Sequence, residues 1–118
     1  MNVTMTKEIK EQDIKDLLCN AIEGGSNYWC NFMDRMGGIS PKVAPYRQDV
    51  PFVEGGWLEV TDEDEKTHRL DRAAIEKGMT VFAEKYPKHF ADFIGDNADA
   101  TTGDVFLQCC IFGDAIYG

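Results

Sequence analysis

The sequence lacks the features on which several common classes of protein depend. None of its apolar runs approaches the ~20 residues that a membrane-spanning helix needs. Residues 1–8 contain no apolar stretch typical of a secretory signal, so we expect the protein in the cytoplasm of the cell that makes it. The sequence also has no GxGxxG motif, no Walker A loop and no HExxH motif. We therefore expect neither a membrane protein nor an enzyme with a common cofactor.

Histidine is scarce and cysteine has no metal-binding spacing. The histidines are His68 and His89, and the four cysteines include no CxxC pair, so a structural metal site is not expected. Adjacent Cys109 and Cys110 do not normally pair with each other, and without an export signal we expect all four thiols to be reduced and buried. Cys30 and His89 are the one nucleophile–base pair that can be constructed, but nothing in the sequence brings them together, so Cys30 is predicted to be a packing residue.

Basic residues are outnumbered, with 12 lysines and arginines against 21 aspartates and glutamates and a net charge of −9. This balance disfavours direct binding of DNA, RNA or anionic lipid. It is compatible with plain solubility or with an acidic surface that imitates nucleic acid. Between Asp34 and Asp49 there is no acid at all, whereas Arg35, Lys42 and Arg47 lie there. We call residues 35–47 the basic island.

The spacing of apolar residues predicts an α+β domain over residues 1–118. Predicted helices run from Glu11 to Ile22, from a Ser26 cap to Met36, from Asp71 to Tyr86, from Pro87 through Ile94, and from a Thr102 cap to Gly113. Predicted strands are 2–9, Val50–Val53 and 115–117, together with a hairpin of 57–61 and 67–70 whose acidic tip is 62–66. This order predicts a small, mostly antiparallel sheet with about four to five helices packed on one side.

Residues 24–30, Gly-Gly-Ser-Asn-Tyr-Trp-Cys, place two large aromatic residues directly after a flexible polar turn. Aromatic faces next to the guanidinium groups of the basic island are what a nucleotide requires, since its base stacks and its phosphate takes arginine. Tyr28 and Trp29 are expected to stack on a base and Asn27 to read its edge. The predicted ligand-binding residues are Asn27, Tyr28, Trp29, Arg35, Lys42, Tyr46 and Arg47. The alternative is that Trp29 belongs to the core, leaving Tyr28 as the better contact residue.

Three blocks of the sequence, residues 21–30, 85–94 and 102–113, resemble a family of small phage and prophage proteins of uncharacterised function. The resemblance covers nearly the whole chain but supplies no catalytic residues. It implies a phage-encoded accessory protein, and such proteins often counter host defence. Some sequester nucleotide immune signals in oligomeric pockets, and others, including anti-CRISPR proteins, block a host nuclease.

The sequence supports two main hypotheses about function and a third, less favoured one. The first is a non-enzymatic homo-oligomer without a cofactor that sequesters a small anionic signal such as a cyclic nucleotide. The second is an acidic inhibitor of a host defence nuclease, in which residues 62–65 and the aspartates after Lys88 imitate nucleic acid. The third is a metal-dependent hydrolase that uses the late aspartates, namely Asp92, Asp96, Asp99 and Asp104.

Overall fold

The computed structural model describes residues 1–2 and 6–118. Four α-helices are present among them: α1 Glu11–Asn20, α2 Arg72–Lys85, α3 Pro87–Ile94 and α4 Ala100–Phe112. Three strands, β1 Cys30–Met36, β2 Trp57–Asp62 and β3 Thr67–Leu70, form an antiparallel sheet in the order β1-β2-β3. A π-helical turn, Ala21–Gly25, follows α1, and a 3₁₀ turn, Arg47–Phe52, precedes the hairpin. The predicted α+β class with a small antiparallel sheet is confirmed.

Helix α4 is the centre of the core. Residues 102–109 are all buried, and the helix contacts α1, α2, α3 and β3. Its burial and its end at Gly113, which adopts the left-handed conformation with φ 72°, are as predicted. Its beginning is not, because Asp99 rather than Thr102 is the N-cap: the Asp99 carboxylate accepts from the backbone N–H of Thr102 at 2.9 Å. Asp104 consequently lies inside the core.

The predicted helix from Ser26 to Met36 is wrong, because residues 30–36 form strand β1. Met33 lies opposite Val60 of β2, and both side chains are buried. Phe32, one position earlier, points to the other face and is exposed. Pairing with β2 therefore outweighs a spacing of apolar residues that also fits a helix.

Three other predicted strands are not found among the described residues. Residues 50–53 belong mostly to the 3₁₀ turn, with Pro51 inside it. Residues 115–117 pair with no strand; the Tyr117 backbone N–H instead donates to the Gln108 side chain at 2.8 Å. Of the predicted strand 2–9, residues 3–5 lie outside the described residues, and residues 6–9 form no strand.

The remaining elements follow the local signals in the sequence. The hairpin is confirmed, with Val60 opposite His68. Asp71 caps α2, its carboxylate accepting from the Ala74 backbone N–H at 2.8 Å, and Pro87 is the first residue of α3. The four cysteines form no disulfide among the described residues; Cys109 is buried as predicted, whereas Cys19, Cys30 and Cys110 are only partly buried. No helix in the described part of the chain is long and apolar enough to cross a membrane.

Candidate functional site

Trp29 lies entirely inside the protein. Its side chain has no exposed surface, and its ring stacks on Tyr117 with centroids 5.4 Å apart and planes 3° apart. Phe112 packs on it at the same centroid distance with a tilt of 59°. No face of the indole is free to stack on a base, so the predicted ligand role of Trp29 is wrong and the core alternative is confirmed.

The turn that contains Trp29 is held by the buried carboxylate of Asp104. The carboxylate accepts hydrogen bonds from Ser26 Oγ at 2.8 Å, from Trp29 Nε1 at 2.7 Å and from Tyr28 OH at 2.5 Å. Gln108 Nε2 donates a fourth at 3.1 Å. A buried carboxylate is stable only when it is hydrogen-bonded in this way. The polar turn and its aromatic residues thus fasten the chain before β1 to helix α4.

Tyr28 is half-exposed, with 52% of its surface accessible, but its hydroxyl is committed to Asp104. Desolvation, the hydrogen bond to Asp104 and the charge of that carboxylate raise the pKa of Tyr28 to about 12. The phenol is therefore neutral at physiological pH. The part of Tyr28 that a ligand or partner can reach is its ring rather than its hydroxyl.

The basic island serves two different purposes. The Arg35 guanidinium donates to the backbone carbonyls of Ala44 at 2.5 Å and Pro45 at 2.8 Å, so it fastens the loop after β1 to the strand. Lys42 is exposed and Tyr46 is 67% exposed, and neither lines a cleft among those found in the described residues. Among the charged residues of the basic island, Arg47 lines one of these clefts in the described part of the chain, and Arg35 and Lys42 do not.

A cleft of about 160 Å³ lies along β1, bounded on the other sides by Ala21 and Ile22 at the start of the π-helical turn, by Ser26 and Asn27 after it, and by Arg47. We call it the β1 cleft. Of the seven predicted ligand-binding residues, Asn27 and Arg47 line it. The other polar and aromatic side chains that line it are those of Cys30, Asn31, Phe32 and Asp34, together with the buried Ser26. Asn31, Phe32 and Asp34 were missed by the sequence reasoning, which placed them on a helix.

The charges of the β1 cleft are of both signs. Arg47 is exposed and makes no ion pair with the residues that the structure describes. Asp34 contributes a carboxylate to the same cleft. The Asn31 side-chain amide donates to the Asp62 backbone carbonyl at 3.2 Å, which fixes its orientation and leaves its oxygen available as an acceptor. The cleft therefore offers a guanidinium group, a carboxylate and two amides.

Cys30 in this cleft is expected to be a poor nucleophile. Burial raises the pKa of the Cys30 thiol to about 11, although the Arg47 charge and a hydrogen bond from the thiol to the Phe32 carbonyl act in the opposite direction. Because the thiolate is the reactive form, iodoacetamide at pH 8 should label Cys30 roughly a hundred times more slowly than an unfolded cysteine, and labelling should accelerate as the pH rises toward 11.

Peptide mapping by mass spectrometry, with the urea-unfolded chain as the reference, measures this rate at Cys30 separately from the other cysteines. Equal rates in the folded and unfolded chains at pH 8 contradict the assignment of a protonated thiol.

Two of the four late aspartates have roles within the chain. Asp99 caps α4 and Asp104 holds the Trp29 turn. In the part of the chain that the structure describes, no three histidine, cysteine, aspartate or glutamate side chains are grouped so as to hold a metal ion. Comparison of the chain with protein-family models, curated proteins and solved structures gave no match. Inferences about function therefore rest on the geometry of the β1 cleft.

Proposed function

We propose that the protein is a non-enzymatic, phage-encoded binding protein that sequesters a small anionic, nucleotide-like ligand in the β1 cleft. The observation that carries this proposal is that Arg47, which has no ion-pair partner among residues 1–2 and 6–118, lines the same cleft as the Asn27 and Asn31 amides and the Phe32 ring. A free guanidinium group beside amides and an aromatic face suits a ligand with a phosphate and a base.

Arg47 would hold the anionic group. A guanidinium binds phosphate through two parallel charge-assisted hydrogen bonds, which are stronger than neutral ones. Two other cations near β1 and the 3₁₀ turn are occupied within the chain, Arg35 by the carbonyls of Ala44 and Pro45 and Lys15 by Asp49 at 3.3 Å. One free arginine at the cleft fits one phosphate group rather than a polyphosphate.

Phe32 would take the stacking role that the sequence reasoning gave to Trp29. Its side chain is 64% exposed and lines the β1 cleft. Stacking of a base on an aromatic side chain contributes about 1–3 kcal/mol and tolerates any base. Because most of the ring is exposed, a base that covers it removes apolar surface from water, which favours binding.

Asp34 restricts the ligand class further. Its carboxylate would repel a second phosphate close to Arg47 but would accept hydrogen bonds from hydroxyl or amino groups. The amides of Asn27 and Asn31 add both donors and acceptors. A nucleotide, which carries hydroxyl and amino donors as well as a phosphate, matches this set better than inorganic phosphate.

Two properties favour retention of the ligand over its chemical conversion. The raised pKa of Cys30, about 11, leaves almost no thiolate at neutral pH. The hydroxyl of Ser26 is buried, where a ligand cannot reach it, and the Asp104 carboxylate to which it donates also accepts from Trp29 Nε1 and Tyr28 OH. Neither residue is an activated nucleophile.

The acidic-inhibitor hypothesis has less support from the side-chain positions. Asp62 at the hairpin tip is buried, where its carboxylate bonds His68 Nε2 at 2.8 Å and accepts from two backbone N–H groups. Asp104 is buried, and Asp114 accepts from Tyr86 OH at 2.5 Å. At the hairpin tip Glu63, Asp64 and Glu65 remain exposed, so three of the four acids of residues 62–65 are available to imitate a nucleic acid backbone.

Isothermal titration of the protein with a panel of cyclic mono- and dinucleotides tests the proposal. We expect micromolar binding to at least one of them. Arg47→Ala should weaken it roughly 10- to 100-fold, because a hydrogen bond to a charged group contributes about 1.5–3 kcal/mol. The matched control is Lys77→Ala, which removes an exposed positive charge on α2, away from the β1 cleft and from strand β1, and should leave affinity within about twofold.

Absence of binding across the panel, or binding that Arg47→Ala and Lys77→Ala weaken equally, overturns the proposal. Turnover of the ligand during the titration, read by chromatography of the recovered nucleotide, contradicts its non-enzymatic part.

A further inference from the structure

We propose that a second copy of this chain pairs its β1 edge to edge and antiparallel with β1, forming a two-fold dimer that closes the β1 cleft. The dimer would carry one continuous six-stranded sheet. The closing of the cleft rests on the proposed function, whereas the pairing of the two strands does not.

The first observation is an open sheet edge. In the order β1-β2-β3, strand β1 pairs with β2 on one side and with no other strand of the described residues on its other side. An unpaired edge presents backbone N–H and C=O groups that another strand can satisfy. A bulge between Cys30 and Phe32 interrupts the ladder at the start of β1, but the pairing is regular from Phe32 to Met36.

The second observation is exposed aromatic surface next to this edge. Phe32 and Tyr28 are the two exposed large aromatic side chains that belong to β1 and to the turn before it, with 64% and 52% of their surfaces accessible. Aromatic residues are enriched at protein interfaces and depleted from free surfaces. Covering them by a partner would remove the largest exposed apolar surface of this part of the molecule.

The third observation identifies the partner as a copy of the same chain. The start of β1 lies beside the acidic hairpin tip, since Cys30 is opposite Asp62, and Glu63, Asp64 and Glu65 are all exposed. The end of β1 leads into the loop of the basic island, where Lys42 is exposed.

Antiparallel pairing brings the start of one β1 next to the end of the other. The acidic tip of each copy then faces the basic island of its partner, and the two-fold axis makes this contact twice. An unrelated peptide would have to bring its own matching charges, whereas this chain carries both halves of the contact. With a net charge of −9 on each copy, local complementarity of this kind is needed for the copies to associate.

The size of the β1 cleft gives the pairing a consequence for the ligand. At about 160 Å³ the cleft is smaller than the ~300–1,000 Å³ of typical small-molecule sites, so one copy encloses only part of a nucleotide. A second strand along the open side of the cleft would cover the remainder. The dimer is then expected to bind two ligands, one per copy.

Sedimentation equilibrium combined with charge reversal tests the inference. Lys42→Glu and the double variant Glu63→Lys/Glu65→Lys each place like charges opposite one another, and each alone should weaken the dimer at least tenfold. An equimolar mixture of the two variants restores both oppositely charged contacts and should give a heterodimer close to the wild-type affinity. All three substitutions are at exposed positions, and circular dichroism confirms that each variant is folded.

A wild-type chain that stays monomeric up to about 100 μM with and without nucleotide overturns the inference, as does a dimer that neither variant weakens or that the mixture fails to restore. Nucleotide binding by a monomer would overturn the inference and leave the proposed function standing. A charge-dependent dimer that binds no nucleotide would overturn the proposed function and leave the pairing of the two β1 strands standing.

Discussion

Asp104→Ala is expected to destabilise the protein by about 3–5 kcal/mol, close to the whole stability of a marginal domain. The substitution removes the acceptor that the buried Ser26 hydroxyl, the Trp29 indole N–H and the Tyr28 hydroxyl share. Each donor left without a partner costs about 1–3 kcal/mol when it is buried. Urea unfolding followed by circular dichroism measures the loss.

Asp92→Ala is the matched control, because Asp92 is an exposed aspartate within helix α3. Its effect should be within about 0.5 kcal/mol. Asp104→Asn keeps one acceptor oxygen, but its amide N–H₂ faces the donors that the second carboxylate oxygen accepts from. Its effect on stability should therefore lie between that of Asp104→Ala and that of Asp92→Ala. A change below about 1 kcal/mol for Asp104→Ala contradicts the role of the carboxylate.

Trp29→Ala is expected to cost about 3–5 kcal/mol and to unfold much of the protein, since Trp29 is fully buried between Tyr117 and Phe112. Trp29→Phe keeps an aromatic ring but loses the hydrogen bond to Asp104, and should cost less. Because Trp29 has no exposed face, Trp29→Phe should leave nucleotide affinity within about threefold wherever the variant is folded.

The comparison needs both measurements on the same preparation. Thermal unfolding reports the stability of Trp29→Phe, and titration calorimetry below its melting temperature reports the affinity. Full stability with at least tenfold weaker binding would return Trp29 to the ligand site and contradict its assignment to the core.

The helices whose ends carry local signals could be predicted from the sequence. Asp71 accepts from a backbone N–H three residues later, and Pro87 opens α3 where a missing N–H is harmless. Gly113 adopts the left-handed conformation that ends α4. In each case the residue that begins or ends the helix lies within a few positions of that helix end.

Strand β1 could not be predicted in this way. Trp29, Phe32, Met33 and Met36 fall at helical spacing, but the structure there is decided by Val60 and its neighbours in β2, far along the chain. The partner of Trp29 is likewise distant, since Asp104 is 75 positions away. Contacts at such separations leave no local pattern.

The wrong prediction of a helix at residues 26–36 also changed which residues were assigned to the ligand site. Asn27 and Arg47 were identified because a polar turn and an isolated basic segment can be recognised without knowing the fold. Trp29 was assigned to the ligand, and Phe32 was placed on the predicted helix with no site role, whereas in the structure Phe32 is exposed and lines the cleft and Trp29 is buried. No alternation of apolar and polar residues distinguishes Phe32 from Met33 in the sequence, since both are apolar and adjacent, so the exposed ring could not have been located from it.

The most direct test of the β1 cleft as the ligand site is a titration of ¹⁵N-labelled protein with the tightest-binding cyclic nucleotide, followed by amide chemical shifts. The largest shifts are predicted at Asn27, at residues 31–34 and at Arg47, with small shifts in α2 and α3, which do not line the cleft. Saturable shifts centred elsewhere, or no shifts at millimolar nucleotide, would contradict the assignment of this cleft.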